Sequence, residues 1–196
     1  MNISGSSSGG SSIMTPPSTV VNELEPNDTK SAATDFAPGE DGRVRLTGTS
    51  ESSSDSDYFR FVASRTGVVS LRTNTLNNNM AAIEVEDSNS VNVFETEPND
   101  GIVSGAFRVQ EGESYTVRVR AKTDSPSAYA VDMAFRQVGD SDGNGLFDTS
   151  DLVRVMQHGK YRSGEIAKFE DGDWNNDGWF NEQDFIVALQ AGYFHD

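Results

Sequence analysis

Two twelve-residue stretches, 140–151 and 173–184, carry oxygen-bearing side chains at loop positions 1, 3, 5, 9 and 12 and a glycine at position 6. In the first these are Asp140, Asp142, Asn144, Asp148 and Asp151, around Gly145; in the second, Asp173, Asn175, Asp177, Asn181 and Asp184, around Gly178. A hard cation needs roughly six to eight oxygen ligands at short range, and alternate residues of a tight loop supply them. Glycine takes the sharp turn that a side chain would block. Position 7 offers only its backbone carbonyl, so Leu146 and Trp179 can be apolar there. Acidic Asn/Asp/Gly surface turns are common and need no metal. Against that alternative stands duplication: the loops are offset by 33 residues (Asp173 against Asp140), with identities also at Gly145/Gly178, Phe147/Phe180, Asp151/Asp184, Gln157/Gln190 and Gly159/Gly192. The expected cofactor is calcium.

The elements that must position these loops are short helices. Asp148 and Asn181 are suited to cap them, with Asp151 and Asp184 three residues on in the first turn. Leu152, Val153, Val155 and Met156 are the apolar positions of one helix; Phe185, Ile186, Ala188 and Leu189 are those of the other. Gly159 and Gly192 stand where a left-handed stop is expected. Helices of about ten residues are unstable alone in water, so they must pack together, with Phe147 and Phe180 closing a small core. Residues 128–137 alternate like a strand, so each unit is a loop–helix rather than a helix–loop–helix.

This tandem resembles the dockerin module of secreted bacterial enzymes over about residues 139–194. The resemblance implies a compact α-helical, EF-hand-like calcium domain that docks onto a cohesin partner. Carried over, it places partner recognition at Thr149 and Ser150 and at Glu182 and Gln183. These two pairs differ from each other, and the basic residues usual later in the helices are not evident.

Residues 1–19 are rich in Ser and Gly, end in Thr-Pro-Pro-Ser-Thr, and read as a flexible linker. From Val20 the texture changes to short alternating runs: 43–49, 57–63, 68–74, 81–87, 90–94, 103–109, 114–121 and 128–137. Eight such runs without long helices predict a mainly β chain, an antiparallel, jelly-roll-like β-sandwich over 20–138, with the calcium domain at 139–196 following almost without a linker.

The sandwich opens on a second cluster, Asn22-Glu23-Leu24-Glu25-Pro26-Asn27-Asp28-Thr29, and an acidic turn leads later into Asp57-Tyr58-Phe59-Arg60-Phe61. Together these resemble the bacterial pre-peptidase C-terminal domain over about residues 20–137. Some members bind calcium through this opening, and the implied ligands are Glu23, Glu25, Asn27 and Asp57, with Ser54, Asp55 and Asp28 as further candidates. The alternative is a capped turn before a strand. A second Glu-Pro-Asn-Asp-Gly at 97–101 reads as a turn.

The chain has 196 residues and a formal charge of −16, from 31 acidic and 15 basic residues, which argues against nucleic acid and anionic membrane surfaces. There is no cysteine, which excludes disulfides and thiolate chemistry. No apolar run approaches a membrane span, and no signal peptide is visible, although both resemblances imply an extracellular or cell-surface location. His158 and His195 lie outside any nucleophile motif, so no catalytic residue is expected. Trp174 and Trp179 serve either the small core or a sugar or partner surface, with the core preferred. The expectation is a monomeric, non-catalytic, calcium-binding module that attaches a secreted protein to a cohesin-like or other extracellular protein. The rival is a sandwich that binds polysaccharide or fibrous matrix protein, braced by the calcium domain. An intracellular calcium sensor is weaker: Asp at position 12 is shorter than the bidentate Glu of sensor hands.

Overall fold

A computed structural model describes residues 19–73, 80–96, 104–121 and 124–195. Ten strands form two five-stranded sheets. They are β1 (Val20–Asn22), β2 (Thr34–Asp35), β3 (Arg43–Ser50), β4 (Ser56–Val62), β5 (Gly67–Thr73), β6 (Met80–Glu86), β7 (Asn92–Glu95), β8 (Ser104–Val109), β9 (Ser114–Ala121) and β10 (Ser127–Gln137). One sheet runs β1-β3-β10-β5-β8 and the other β2-β4-β9-β6-β7. From β3 onward this is the jelly-roll order, in which successive strands are dealt between two facing sheets.

The period-two pattern sets the layers. Val44, Leu46, Val69, Leu71, Val131 and Met133 point inward from one sheet and Phe59, Phe61, Ile83, Val85, Val117 and Val119 from the other, all buried in one cluster. Around Phe61 the packing is aromatic, with Tyr115 stacked at 5.4 Å and Phe135 edge-on at 5.0 Å.

Two expectations need correction. The sandwich is not wholly antiparallel: β1 pairs parallel with β3, and β2 parallel with β4. Both short strands went unread because two or three residues show no periodicity. Their direction follows from the chain crossing from one sheet at β1 to the other at β2, then back at β3 and across again at β4. The seventh strand begins at Asn92 rather than Ser90. The Asp87 carboxylate accepts the Asn89 and Val91 N–H groups, each at 2.8 Å, and holds a turn with Ser90 at φ 60°. The 1–18 part of the expected linker and the turn at 97–101 lie outside the described residues.

After β10 a second buried cluster forms around Val138, Phe147, Val155, Trp174, Phe180 and Ala188. It includes helices α1 (Thr149–Gln157) and α2 (Glu182–Gln190). Trp174 is fully buried there, whereas Trp179 is 48% exposed. The two cores meet along a polar seam. Tyr193 donates to Glu111 at 2.6 Å and accepts the Thr66 N–H at 3.4 Å, and Arg65 reaches the Gly145 carbonyl at 3.5 Å.

Candidate metal centres

Asp148 and Asn181 cap α1 and α2, and each helix begins with a reciprocal capping box closed by Asp151 or Asp184. That box turns the position-12 carboxylate inward. Asp151 Oδ1 accepts the Ser141 and Asp142 N–H groups at 2.8 and 3.0 Å, and Oδ2 that of Asp148 at 3.0 Å. Asp184 does the same with Asn175 at 3.0 Å and Asn181 at 2.8 Å. Asp140 and Asp173, buried at the loop entrances, accept the Gly145 and Gly178 N–H groups at 3.0 and 2.9 Å. Both glycines have φ near +90°, as the turn requires. Burial, partly offset by these N–H groups and reinforced by neighbouring carboxylates, pushes Asp140, Asp173 and Asp184 upward in pKa.

The donor set suits a hard cation. Oxygens of Asp140, Asp142 and Asp151 lie within 4.8 Å of one another. Like charges gathered this way, with Asp140 and Asp151 buried, repel unless a cation or protons offset them. Asn144, Asp148 and the Leu146 carbonyl complete the predicted set in the first loop; Asp173, Asn175, Asp177, Trp179 (by its carbonyl), Asn181 and Asp184 make the second.

The repeat extends further than the loop motif. Gly139 and Gly172, at φ 96° and 107°, precede the first ligand of each loop, and a Cβ on either would strike the ring of Phe147 or Phe180. The Phe147 carbonyl accepts the His195 N–H at 2.9 Å, and the Phe180 carbonyl accepts that of Arg162 at 2.8 Å. Phe194 lies edge-on to Phe147 at 5.1 Å, and Tyr161 to Phe180 at 5.2 Å. Each loop is thus closed by the chain leaving the other helix. Across the pseudo-symmetry axis Trp174 Nε1 donates to Ser141 Oγ at 2.8 Å. Phe147, Phe180 and Trp174 were read from sequence as core residues, but Gly139, Gly172, Tyr161, Phe194, Arg162, His195 and Ser141 were not singled out for this closure, although Gly139/Gly172 and Tyr161/Phe194 stand at the same 33-residue offset.

The expected partner-recognition residues Thr149, Ser150, Glu182 and Gln183 are exposed at the two helix starts. Ser150 is engaged with Asp148, and Glu182 pairs with Arg162 at 3.2 Å. The symmetry absent from these pairs appears one turn later. Val153 and Ile186 are 52% and 43% exposed, and Met156 and Leu189 51% and 58%. Thr149, Leu152, Val153, Met156 and Gln157 line a shallow apolar groove on α1.

The third cluster sits where the chain crosses between the sheets. Glu23 lies over β3, with one oxygen accepting the Thr49 N–H at 2.6 Å and the other the Tyr129 hydroxyl at 2.9 Å. Gly48 makes this approach possible, because a Cβ there would collide with both Glu23 and Tyr129. Asn27 is tied to β4 by its carbonyl, which accepts the Tyr58 N–H at 3.1 Å. Oxygens of Glu23, Glu25 and Asp57 lie within 4.8 Å of one another. Asp57 is fully buried and its Oδ2 has no hydrogen-bond partner. Burial, opposed by the Tyr129 hydroxyl and reinforced by Glu23 and Asp55, raises Asp57 to about 8. Burial, and then the Asp57 and Glu23 charges, push the Tyr129 phenol upward, so it stays a donor. The Asn27 amide oxygen faces Asp57 and Glu25, acceptor against acceptor. Either the amide turns and its nitrogen donates to both, each at 3.2 Å, or a cation takes the space between the oxygens. The orphaned Asp57 oxygen and this all-oxygen lining fit calcium. Ser54, Asp55 and Asp28 stay outside the three-carboxylate cluster; Asp55 accepts the Glu51 N–H at 2.6 Å instead.

His158 caps α1 and its Nδ1 lies 2.9 Å from Asp171 Oδ1, a structural contact at the helix end. No helix among the described residues is long and apolar enough to cross a membrane.

Neither a family model nor a curated protein matches the chain. Among solved structures it is similar to the pre-peptidase C-terminal domain of collagenase from Bacillus anthracis, at 10% identity and TM-score 0.40, over 61% of this chain and 97% of that one. The periplasmic g-type lysozyme inhibitor PliG of Aeromonas hydrophila is similar at 9% identity and TM-score 0.41, over 60% and 98%. The carbohydrate-binding module CBM36, solved with calcium and xylotriose, is similar at 14% identity and TM-score 0.30, over 44% and 77%. Similarity this low leaves the assignment to the chain's own residues.

Proposed function

We propose that this chain is a non-catalytic, calcium-dependent attachment module of a secreted bacterial protein, a sandwich of the pre-peptidase C-terminal type followed by a dockerin-like calcium domain. The observation that carries this reading is the duplicated loop, with buried position-1 and position-12 carboxylates turned inward in both copies and each loop closed by the other's exit strand. Calcium bound there neutralises carboxylates that otherwise repel, and so links metal binding to folding. The loaded helices then present Val153 and Met156, or their counterparts Ile186 and Leu189, to a cohesin-like or other extracellular protein partner. Glu23, Glu25, Asn27 and Asp57 form a third calcium site that pins the sheet-to-sheet crossover.

Calorimetric titration of metal-free protein with calcium, alongside circular dichroism in chelator, tests this directly. The expected result is three sites and a calcium-dependent gain of helix. Two sites with the helix gain would confine the metal to the C-terminal loops, and no binding at millimolar calcium would overturn the reading. A second role, polysaccharide binding by the sandwich, rests on a different surface, the outer face of the sheet containing β3 and β10.

A further inference from the structure

The chain carries 31 acidic and 15 basic residues, yet five of its arginines share one sheet face. Inward positions of β3, β10, β5 and β8 belong to the core, so the alternate residues face out. In one register row Arg45 and Arg72 flank Asp132. Four residues along, Arg136 and Arg108 flank Val68, which is only 4% exposed, so this end of the face is partly covered. The row between has Arg43 at its edge and then Ala134, Ser70 and Ala106, a floor of small side chains. Strand geometry puts the paired arginines about 10 Å apart across the sheet and the two rows about 13 Å apart along it.

The acidic groups touching this face do not cancel it. Asp132 takes Arg45 alone, through Nε at 2.6 Å and Nη2 at 2.8 Å. Arg136 is engaged by the segment after β10, lying 3.8 Å from Glu170 and 5.9 Å over the Phe169 ring, and Asp41 accepts the backbone N–H of Arg43 at the edge. Arg72 and Arg108 are exposed and form no ion pair with another described residue. The Arg45–Asp132 fork shows that a carboxylate lies flat on this surface with both oxygens engaged.

We propose that this face binds a linear polysaccharide bearing carboxylate groups, the uronate class. The charge sign selects a polyanion, and the guanidinium fork matches a planar carboxylate. Val20, on the edge strand β1 beside Arg45, is the one exposed large apolar residue on the strands of this sheet among the described residues. A single valine at the edge is not the central aromatic or apolar cluster that anchors a protein partner, and these strands offer no exposed aromatic platform for a neutral sugar among the described residues. The low floor of Ala134, Ser70 and Ala106 lets a flat chain settle between the arginine rows. This surface stands whether or not the calcium reading holds.

The test is titration of the full chain, in millimolar calcium, with a hyaluronan oligosaccharide, which has one carboxylate on every second sugar. Neutral dextran, dextran sulfate and phosphatidylserine vesicles are run in parallel. Binding of the uronate chain that weakens with added salt is expected. Arg72→Glu combined with Arg108→Glu should weaken it at least tenfold, and the single variants R72Q and R108Q severalfold each. Arg154→Glu, on α1 away from this face, should leave it unchanged. Unaltered binding in the double variant, no binding at low salt, or equal or tighter capture by dextran sulfate or by vesicles would each overturn the proposal. Unchanged circular dichroism and calcium response keep a loss of binding from being a loss of fold.

Discussion

Asp57 shows how costly one buried carboxyl can be. Its carboxyl is fully buried, one oxygen lacks a partner, and its pKa is raised to about 8. Folding of the metal-free chain therefore takes up a proton at Asp57 between pH 3.8 and about 8. The folded state binds more protons than the unfolded in that window, so metal-free stability falls as pH rises through it. Asp57→Asn keeps the shape and removes the charge. In chelator at pH 7.5 this variant should melt higher than wild type, with a flatter pH profile. In calcium it should forfeit the stabilisation supplied by that site, about 2.7 kcal/mol at a hundredfold excess of metal over Kd. Melting curves with and without chelator read both effects, and a variant that gains equally from calcium would remove Asp57 from the site. Glu23, Glu25 and Asn27 were legible in the sequence as an oxygen-rich opening, and Asp57 joined them only through the resemblance to the pre-peptidase C-terminal domain. Gly48 and Tyr129 were not legible, because they reach the cluster only through strand pairing, from 25 and 106 residues beyond Glu23.

At the scale of elements, the helices and most strands could be read because each obeys one local rule. Capping side chains and the glycine stops bound α1 and α2, and alternation marks β3 to β6 and β8 to β10 within a residue or so. What escaped was held by partners distant in sequence: β1, β2 and the two exit segments that close the loops. The exit segments make a prediction that local reading could not. Phe194→Ala removes the ring against Phe147 and should loosen the first loop, leaving the second near its native affinity; Tyr161→Ala should do the reverse. Each ring is only partly buried, so the stability loss should be about 2 kcal/mol, below the roughly 3–5 kcal/mol of a fully buried aromatic truncation. Site-resolved calcium titration by NMR separates the loops. Equal weakening of both by either variant would show that the closures act on the module as a unit.

For the whole molecule, the sequence disclosed two kinds of texture and an acidic balance, and the structure adds how the two cores touch. Tyr193, beyond α2, binds Glu111 and Thr66 on the sandwich. The Glu111 bond, first, and burial raise the pKa of the Tyr193 hydroxyl, so it remains a donor across neutral pH. Tyr193→Phe should leave calcium affinity and both cores intact while loosening the seam. Hydrogen exchange at 65–67 and 111–113 should quicken, and calorimetry should separate one melting transition into two. Retention of a single transition would mean that the continuous chain through Val138, rather than the seam, joins the cores. The basic face of one sheet was hidden in a net charge of −16 because arginines adjacent in space are scattered from Arg43 to Arg136 in the chain.

The exchanged closures carry an evolutionary and engineering consequence. Residues 139–162 contain a loop, a helix and an exit segment, but that exit segment is matched to residues 172–195 and not to its own loop. One unit alone is an open half, and two identical units satisfy each other in the manner of a domain-swapped pair. The C-terminal segment is therefore arranged like a two-fold dimer of related halves within one polypeptide, in which covalent linkage takes the place of concentration as the source of assembly.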